Sequence, residues 1–148
     1  MIEFKFKKSD MDSLLKALDS SNAKKDIAKI LRDGINKALS YVRKRIAKNH
    51  RYQDRTGNLS RSVHFYTDRS GLFGKIGLSG FTNDRILDSK FTAKSSKSGF
   101  KYGRKIHQGH GTWQPDQFVF YNFDNSKNVI MDYLTQSYSK VIQKIGGK

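Results

Sequence analysis

The sequence of 148 residues contains no cysteine and only one proline. The lack of cysteine excludes disulfide bonds, thiolate-bound zinc and a cysteine nucleophile. No stretch approaches the roughly 18 consecutive apolar residues of a membrane span. The N-terminal MIEFKFKKSD alternates apolar and charged residues, whereas a signal peptide needs a continuous apolar run. We therefore expect a protein that has no membrane partner and stays in the cytoplasm where it is made, or leaves it only by cell lysis.

Acidic residues are also scarce, because 13 Asp and Glu face 29 Lys and Arg, which gives a formal net charge of +16. A net charge of this size gives information about binding partners and solubility but not about the fold. Nucleic acid and an acidic protein surface are both candidate partners, and solvated lysines are the alternative explanation. The apolar fraction of 36% is enough for one core, so we expect a single domain over residues 1–148.

The first half of the chain has three periodic segments. Residues 2–6 alternate apolar and charged side chains as in a half-buried strand, and residues 9–18 predict a short helix that residues 20–22 break. Residues 24–49 predict a long amphipathic helix. Its apolar face consists of Ile27, Ile30, Leu31, Ile35, Ala38, Leu39, Val42 and Ile46.

The second half begins with a predicted hairpin, in which residues 62–67 and 74–79 flank the turn sequence Asp68-Arg69-Ser70-Gly71. Residues 81–101 contain few aliphatic side chains and predict a flexible loop. Residues 102–113 and 117–121 are interpreted as extended segments on either side of Pro115.

A final helix is predicted over residues 126–145. Its apolar face consists of Val129, Ile130, Tyr133, Leu134, Ser137, Val141, Ile142 and Ile145. The elements together predict an α+β fold, in which a mostly antiparallel sheet packs with a long helix and a C-terminal helix.

The histidines are the candidates for a metal site or for acid–base catalysis. His107 and His110 have a spacing compatible with zinc, but the glycines beside them oppose a helix and Asp116 is the only carboxylate nearby. A histidine acid or base would need a partner such as His50 or His64. Ordinary histidines in a glycine-rich turn are favoured, so we predict no catalytic residue, metal or cofactor.

Two basic stretches could contact a phosphate backbone. The first begins at Arg43, near the end of the long helix, and the second covers residues 90–105, where aromatic residues are interleaved with lysines. No known nucleic-acid-binding motif accompanies either stretch. Solvated surface is the alternative interpretation. The candidate contacts to DNA or an acidic partner in the first stretch are Arg43, Lys44, Arg45, Lys48 and Arg51.

Residues 55–63, RTGNLSRSV, predict a tight joint between the long helix and the hairpin. Gly57 permits a positive φ after the helix, and Leu59 and Val63 then point inward. The residues of this joint are Arg55, Thr56, Gly57, Leu59 and Ser62.

This order of motifs resembles the head–tail joining, or tail-completion, proteins of long-tailed bacteriophages and prophages. Their pattern is a long basic helix, an R-T-G-x-L-x-x-S-hydrophobic joint, a hairpin, a variable loop, a tyrosine-containing segment with a Gly-x motif, an aromatic–proline turn and a final helix. The resemblance covers about residues 25–145. This chain differs from the family in two places. It has His107-Gln108-Gly109-His110-Gly111-Thr112 where the family usually has Glu-Phe-Gly-Thr. Two residues also separate Pro115 from Phe118, whereas the proline and the phenylalanine are adjacent in the family.

The resemblance implies a non-enzymatic part of the virion that forms a homo-oligomeric ring in the neck or at the tail end and contacts other neck and tail proteins. A nucleic-acid-binding module and a small basic nuclease are the alternatives. The candidate subunit or partner contacts around the variable loop are Lys90, Lys94, Lys97, Lys101, Tyr102 and Arg104.

Overall fold

The computed structural model describes residues 2–5, 16, 21–50, 62–78, 111 and 117–146. This part of the chain contains a three-stranded antiparallel sheet and three helices, which confirms the predicted α+β class. The strands are β1 (Ile2–Lys5), β2 (Val63–Thr67) and β3 (Phe73–Leu78), and the helices are α1 (Ser21–Lys48), α2 (Phe118–Asp124) and α3 (Lys127–Gly146).

The sheet has the strand order β1-β3-β2, so the N-terminal strand pairs with the second strand of the hairpin. Ile76 in the central strand lies opposite Ile2 on one side and Phe65 on the other. Directly opposed residues share one face of a sheet, and this face packs against α1. A hydrogen bond of 2.8 Å from the Thr67 hydroxyl to Asn36 Oδ1 joins β2 to the same helix.

The predicted turn at residues 68–71 is confirmed. The Asp68 carboxylate accepts hydrogen bonds from the backbone N–H groups of Leu72 and Phe73, both at 3.1 Å. Gly71 has a φ of +73°, and a Cβ there would lie 2.5 Å from the Arg32 nitrogen and 2.6 Å from the Ala28 oxygen. The turn therefore lies directly on the backbone of α1. Glycine is required at position 71 for two reasons, the positive φ and the lack of space for a Cβ.

α1 is the centre of the core, as its periodicity predicts. Its predicted apolar residues are all buried except Ile30, which is half-buried. They pack against the sheet, α2 and α3 in two clusters, the smaller of which consists of Ile27, Leu31 and Val141. The helix begins at Ser21, so the predicted break at residues 20–22 is wrong at Ser21 and Asn22. Serine and asparagine also favour the start of a helix, and here they begin α1.

α1 and α3 cross at two small residues, Gly34 and Ser137. A Cβ on Gly34 would lie 2.1 Å from Ser137 Oγ and 2.7 Å from its Cβ, so only glycine fits. Ser137 directs its hydroxyl to the Tyr133 carbonyl oxygen at 3.0 Å, within its own helix. Near the ends of the same two helices, Lys144 donates a hydrogen bond of 2.5 Å to Asp26. That hydrogen bond, with the charge of Lys144, holds the pKa of Asp26 below its ordinary value.

The extended segment predicted at residues 117–121 is wrong, because Phe118–Asp124 is helical. Its aromatic and β-branched residues are typical of strands, but propensity yields to packing. Phe118, Val119 and Asn122 occupy one face of α2 and are buried. The predicted C-terminal helix is confirmed, with bounds one residue later at each end.

Several predictions fall outside the described residues. They are the helix at residues 9–18 apart from Lys16, the joint at residues 55–61, the loop at residues 81–101 and the segment at residues 102–113 apart from Gly111.

The close crossing of α1 and α3 predicts that Gly34→Ala destabilises the fold. Alanine improves helix propensity by about 1 kcal/mol, but overpacking costs about 1–3 kcal/mol, so we expect a net loss of about 1 kcal/mol in the free energy of unfolding. Gly34→Ala combined with Ser137→Gly moves the glycine to the partner helix and should recover most of this loss. Chemical denaturation measures the free energy of unfolding of each variant. Gly146→Ala is the control, because a Cβ at Gly146 would meet no other atom. A Gly34→Ala protein as stable as the wild type would contradict the crossing.

Candidate partner-binding surfaces

Positive charge is concentrated at the C-terminal end of α1. Residues 21–36 contain both cations and carboxylates, whereas residues 37–48 contain five cations and no carboxylate. We call these five residues the basic end of α1: Lys37, Arg43, Lys44, Arg45 and Lys48. All are exposed except Arg45, which is half-buried. The basic end therefore contains four of the predicted DNA or acidic-partner contacts, and the fifth, Arg51, lies outside the described residues.

The basic end is held in place by α2. Asn122 is fully buried, and its amide nitrogen donates to the Asn49 carbonyl oxygen at 2.8 Å and to the Phe118 carbonyl oxygen at 2.7 Å. Its Oδ1 accepts a hydrogen bond from the Asn49 side chain at 3.3 Å. The Tyr121 hydroxyl also donates to the Asn49 carbonyl oxygen. The carbonyl just beyond α1 thus receives donors from α2, and the backbone at the C-terminal end of α1 is held in place.

Sequence reasoning missed Asn122. An asparagine among aromatic residues gives no periodic signal, and its partner Asn49 is 73 residues away. Ser126 completes the arrangement, since its buried hydroxyl donates to the Asn122 carbonyl oxygen at 2.6 Å and fixes the junction of α2 and α3.

A second surface lies on α3, where apolar residues reach the solvent. Met131 is 59% exposed, and Tyr138 and Ile142 are each 43% exposed. They are the exposed large hydrophobic residues of the described part of the chain. Ile142 belongs to the predicted apolar face of α3 but is exposed, because the close crossing with α1 covers the part of that face around Ser137 and Val141. With the half-buried Leu134 and Ile145 at its edge, we call this set the α3 stripe.

Lys75, in the central strand β3, is a buried cation. Lys75 is 8% exposed, and its ammonium lies 5.6 Å from the centroid of the Tyr66 ring and 5.9 Å from that of the Phe73 ring. An ammonium near aromatic rings gains cation–π attraction. Lys75 also lies opposite Glu3 on β1. Its surroundings therefore account for its burial as part of the sheet.

Two histidines, His50 and His64, lie in the described part of the chain. His50 follows α1, and His64 lies on β2 opposite Gly77. Within residues 2–5, 21–50, 62–78 and 117–146, no three His, Asp or Glu side chains are grouped so that they could bind a metal. Among the helices described, none combines the length and the apolar character needed to cross a bilayer.

The remaining predicted contacts lie elsewhere in the chain. Of the joint, Ser62 is described and is buried immediately before β2. His107, His110 and the contacts Lys90, Lys94, Lys97, Lys101, Tyr102 and Arg104 lie outside the described residues.

The hydrogen bonds of Asn122 predict a loss of stability in Asn122→Ala. Removal of a buried amide leaves the Asn49 carbonyl with fewer donors, and we expect a cost of about 1–3 kcal/mol. Thermal or chemical denaturation measures it. Asn128→Ala, at an exposed position of α3, is the matched control and should not lower stability. Equal stabilities for the two variants would mean that α2 does not hold the end of α1.

Comparison with known proteins returns no match to a family model, to a curated protein or to a solved structure. Any functional proposal therefore depends on the motif order and on the two surfaces described above.

Proposed function

We propose that this chain is a structural virion protein of a tailed bacteriophage that forms a ring at the head–tail interface and joins head to tail. In this proposal it acts in the neck or in tail completion, has no catalytic activity, and contacts other neck and tail proteins. The resemblance of residues 25–145 to head–tail joining proteins motivates the proposal.

One observation carries most of the support. In the resembled family the R-T-G-x-L-x-x-S-hydrophobic joint connects a long basic helix to a hairpin. In this chain the motif occupies residues 55–63, after α1 ends at Lys48, and its last residue, Val63, is the first residue of β2. The order of α1, hairpin and α3 also agrees with the family pattern.

Electrostatics determine which partners such a ring requires. With +16 on each subunit, neighbouring copies repel one another, and closure requires acidic partner surfaces, DNA or counterions to offset the charge. The basic end of α1 suits this role, because its exposed cations are grouped without carboxylates and the helix end is held by Asn122. Exposed charge contacts of this kind weaken as salt screens them.

The same observation favours a second candidate function, a basic module that binds nucleic acid. Cations grouped along one helix end can neutralise phosphates, and such binding weakens steeply with salt. This candidate differs from the first in its consequence, because a nucleic-acid-binding module does not have to be part of the particle.

The test of the proposed function is deletion of the gene from the phage or prophage that encodes it. We expect filled or fillable heads and separate tails, visible by negative-stain electron microscopy, because the joining component is missing. Normal joined particles from the deletion would contradict the proposal. Joined but uninfective or empty particles would instead favour a role in handling nucleic acid.

Complementation then tests the basic end of α1. The triple variant Arg43→Gln, Lys44→Gln, Lys48→Gln should fail to restore joined particles, or restore at least about tenfold fewer, because contacts to acidic partners are lost. The matched control is Lys24→Gln, Lys25→Gln, Lys29→Gln, which removes the same charge from exposed positions of the same helix. Equal complementation by both triples would show that the position of the charge is unimportant.

A further inference from the structure

The α3 stripe has a symmetric spacing. Its members are Met131, Leu134, Tyr138, Ile142 and Ile145, and the steps between them are three, four, four and three residues. At 100° per residue these positions share one side of the helix. The pattern therefore has the same spacing in both directions from Tyr138.

We propose that the α3 stripe binds the α3 stripe of a second copy of this chain, antiparallel and about a two-fold axis at Tyr138. This arrangement places Tyr138 against Tyr138 of the second copy. It also places Met131 against Ile145 and Leu134 against Ile142 of the second copy. Every apolar residue of one stripe thus meets an apolar residue of the other, which is the self-complementarity that a two-fold contact requires.

Charge identifies the occupant as a second copy. The exposed residues that border the stripe on its solvent side are Asn128, Asp132, Thr135, Ser139 and Gln143, and none of them is a cation. Two chains of +16 repel least where they meet through surfaces without cations. An acidic partner is attracted to the basic end of α1 instead.

The lysines at the two ends of α3 have carboxylate partners. Lys127 pairs with Asp124 at 2.9 Å, and Lys144 pairs with Asp26. Both pairs are exposed, and they reduce the positive charge that a second copy meets at either end of the stripe. The stripe is therefore a local apolar and nearly neutral surface on a strongly basic protein.

The contact is separate from the proposed function. A two-fold contact joins two copies and cannot by itself close a ring, which requires head-to-tail contacts between different patches. We infer a paired state of the free protein, whatever its role in the virion. The gene deletion could contradict the proposed ring while the free protein still dimerises. It could equally support the ring while the free protein remains monomeric.

The first test uses the absence of cysteine, which allows a single thiol to be introduced. Tyr138→Cys should form a disulfide-linked dimer on mild oxidation, because the axis brings the two thiols within bonding distance. Ala47→Cys, at an exposed position of α1, should remain monomeric under the same conditions. Equal cross-linking of the two variants, or none in Tyr138→Cys, would overturn the two-fold arrangement.

The second test is sedimentation of the full chain over a range of concentrations. The wild type should dimerise, Ile142→Asp should weaken dimerisation at least tenfold, and Ala47→Asp should leave it unchanged. Circular dichroism of both variants shows whether α3 remains folded. A wild type that is monomeric at every concentration, or equal weakening by the two variants, would overturn the proposal.

The salt dependence distinguishes the stripe from a charged contact. Dimerisation through the stripe should strengthen with added salt, because salt screens the repulsion between two basic chains. Binding through the basic end of α1 to DNA or to an acidic protein should weaken. A dimer that dissociates as salt rises would be an electrostatic complex and would contradict the proposal.

Discussion

Gly34 and Ser137 lie where the two longest helices cross, and the rest of the structure depends on the close approach that these two small residues permit. The approach lets α3 cover Ile27 and Leu31 of α1 with Val141. The larger cluster is where α1 packs with the sheet and with α2. The hairpin strands and both other helices therefore pack on α1, and a side chain at Gly34 would displace α3 from that common support.

The two helices that cross here present two chemically different surfaces. α1 buries most of its apolar residues, so its exposed side chains are mainly polar or charged, and its net positive charge is concentrated at its C-terminal end. α3 has more apolar residues than the crossing can cover, and the excess faces solvent as the α3 stripe. One surface suits acidic partners through charge, and the other suits a neutral apolar contact.

Long periodic segments could be predicted from the sequence, and residues that act through distant partners could not. The eight apolar residues of α1 and the hairpin turn at Asp68 were identified because their signals are local. The helical state of Phe118–Asp124 was missed because burial against α1 overrides its strand-like composition. Asn122 was missed because its role depends on Asn49, and the exposure of Ile142 depends on how closely α3 approaches Gly34.

The proposal that this protein joins a phage head to its tail through the basic end of α1 is tested most directly by an averaged cryo-electron microscopy map of the virion neck. We expect a ring of subunits into which the described fold docks, with Arg43, Lys44 and Lys48 facing acidic side chains or DNA phosphates. A neck without this protein, or a docked ring in which these three cations face only solvent, would contradict it.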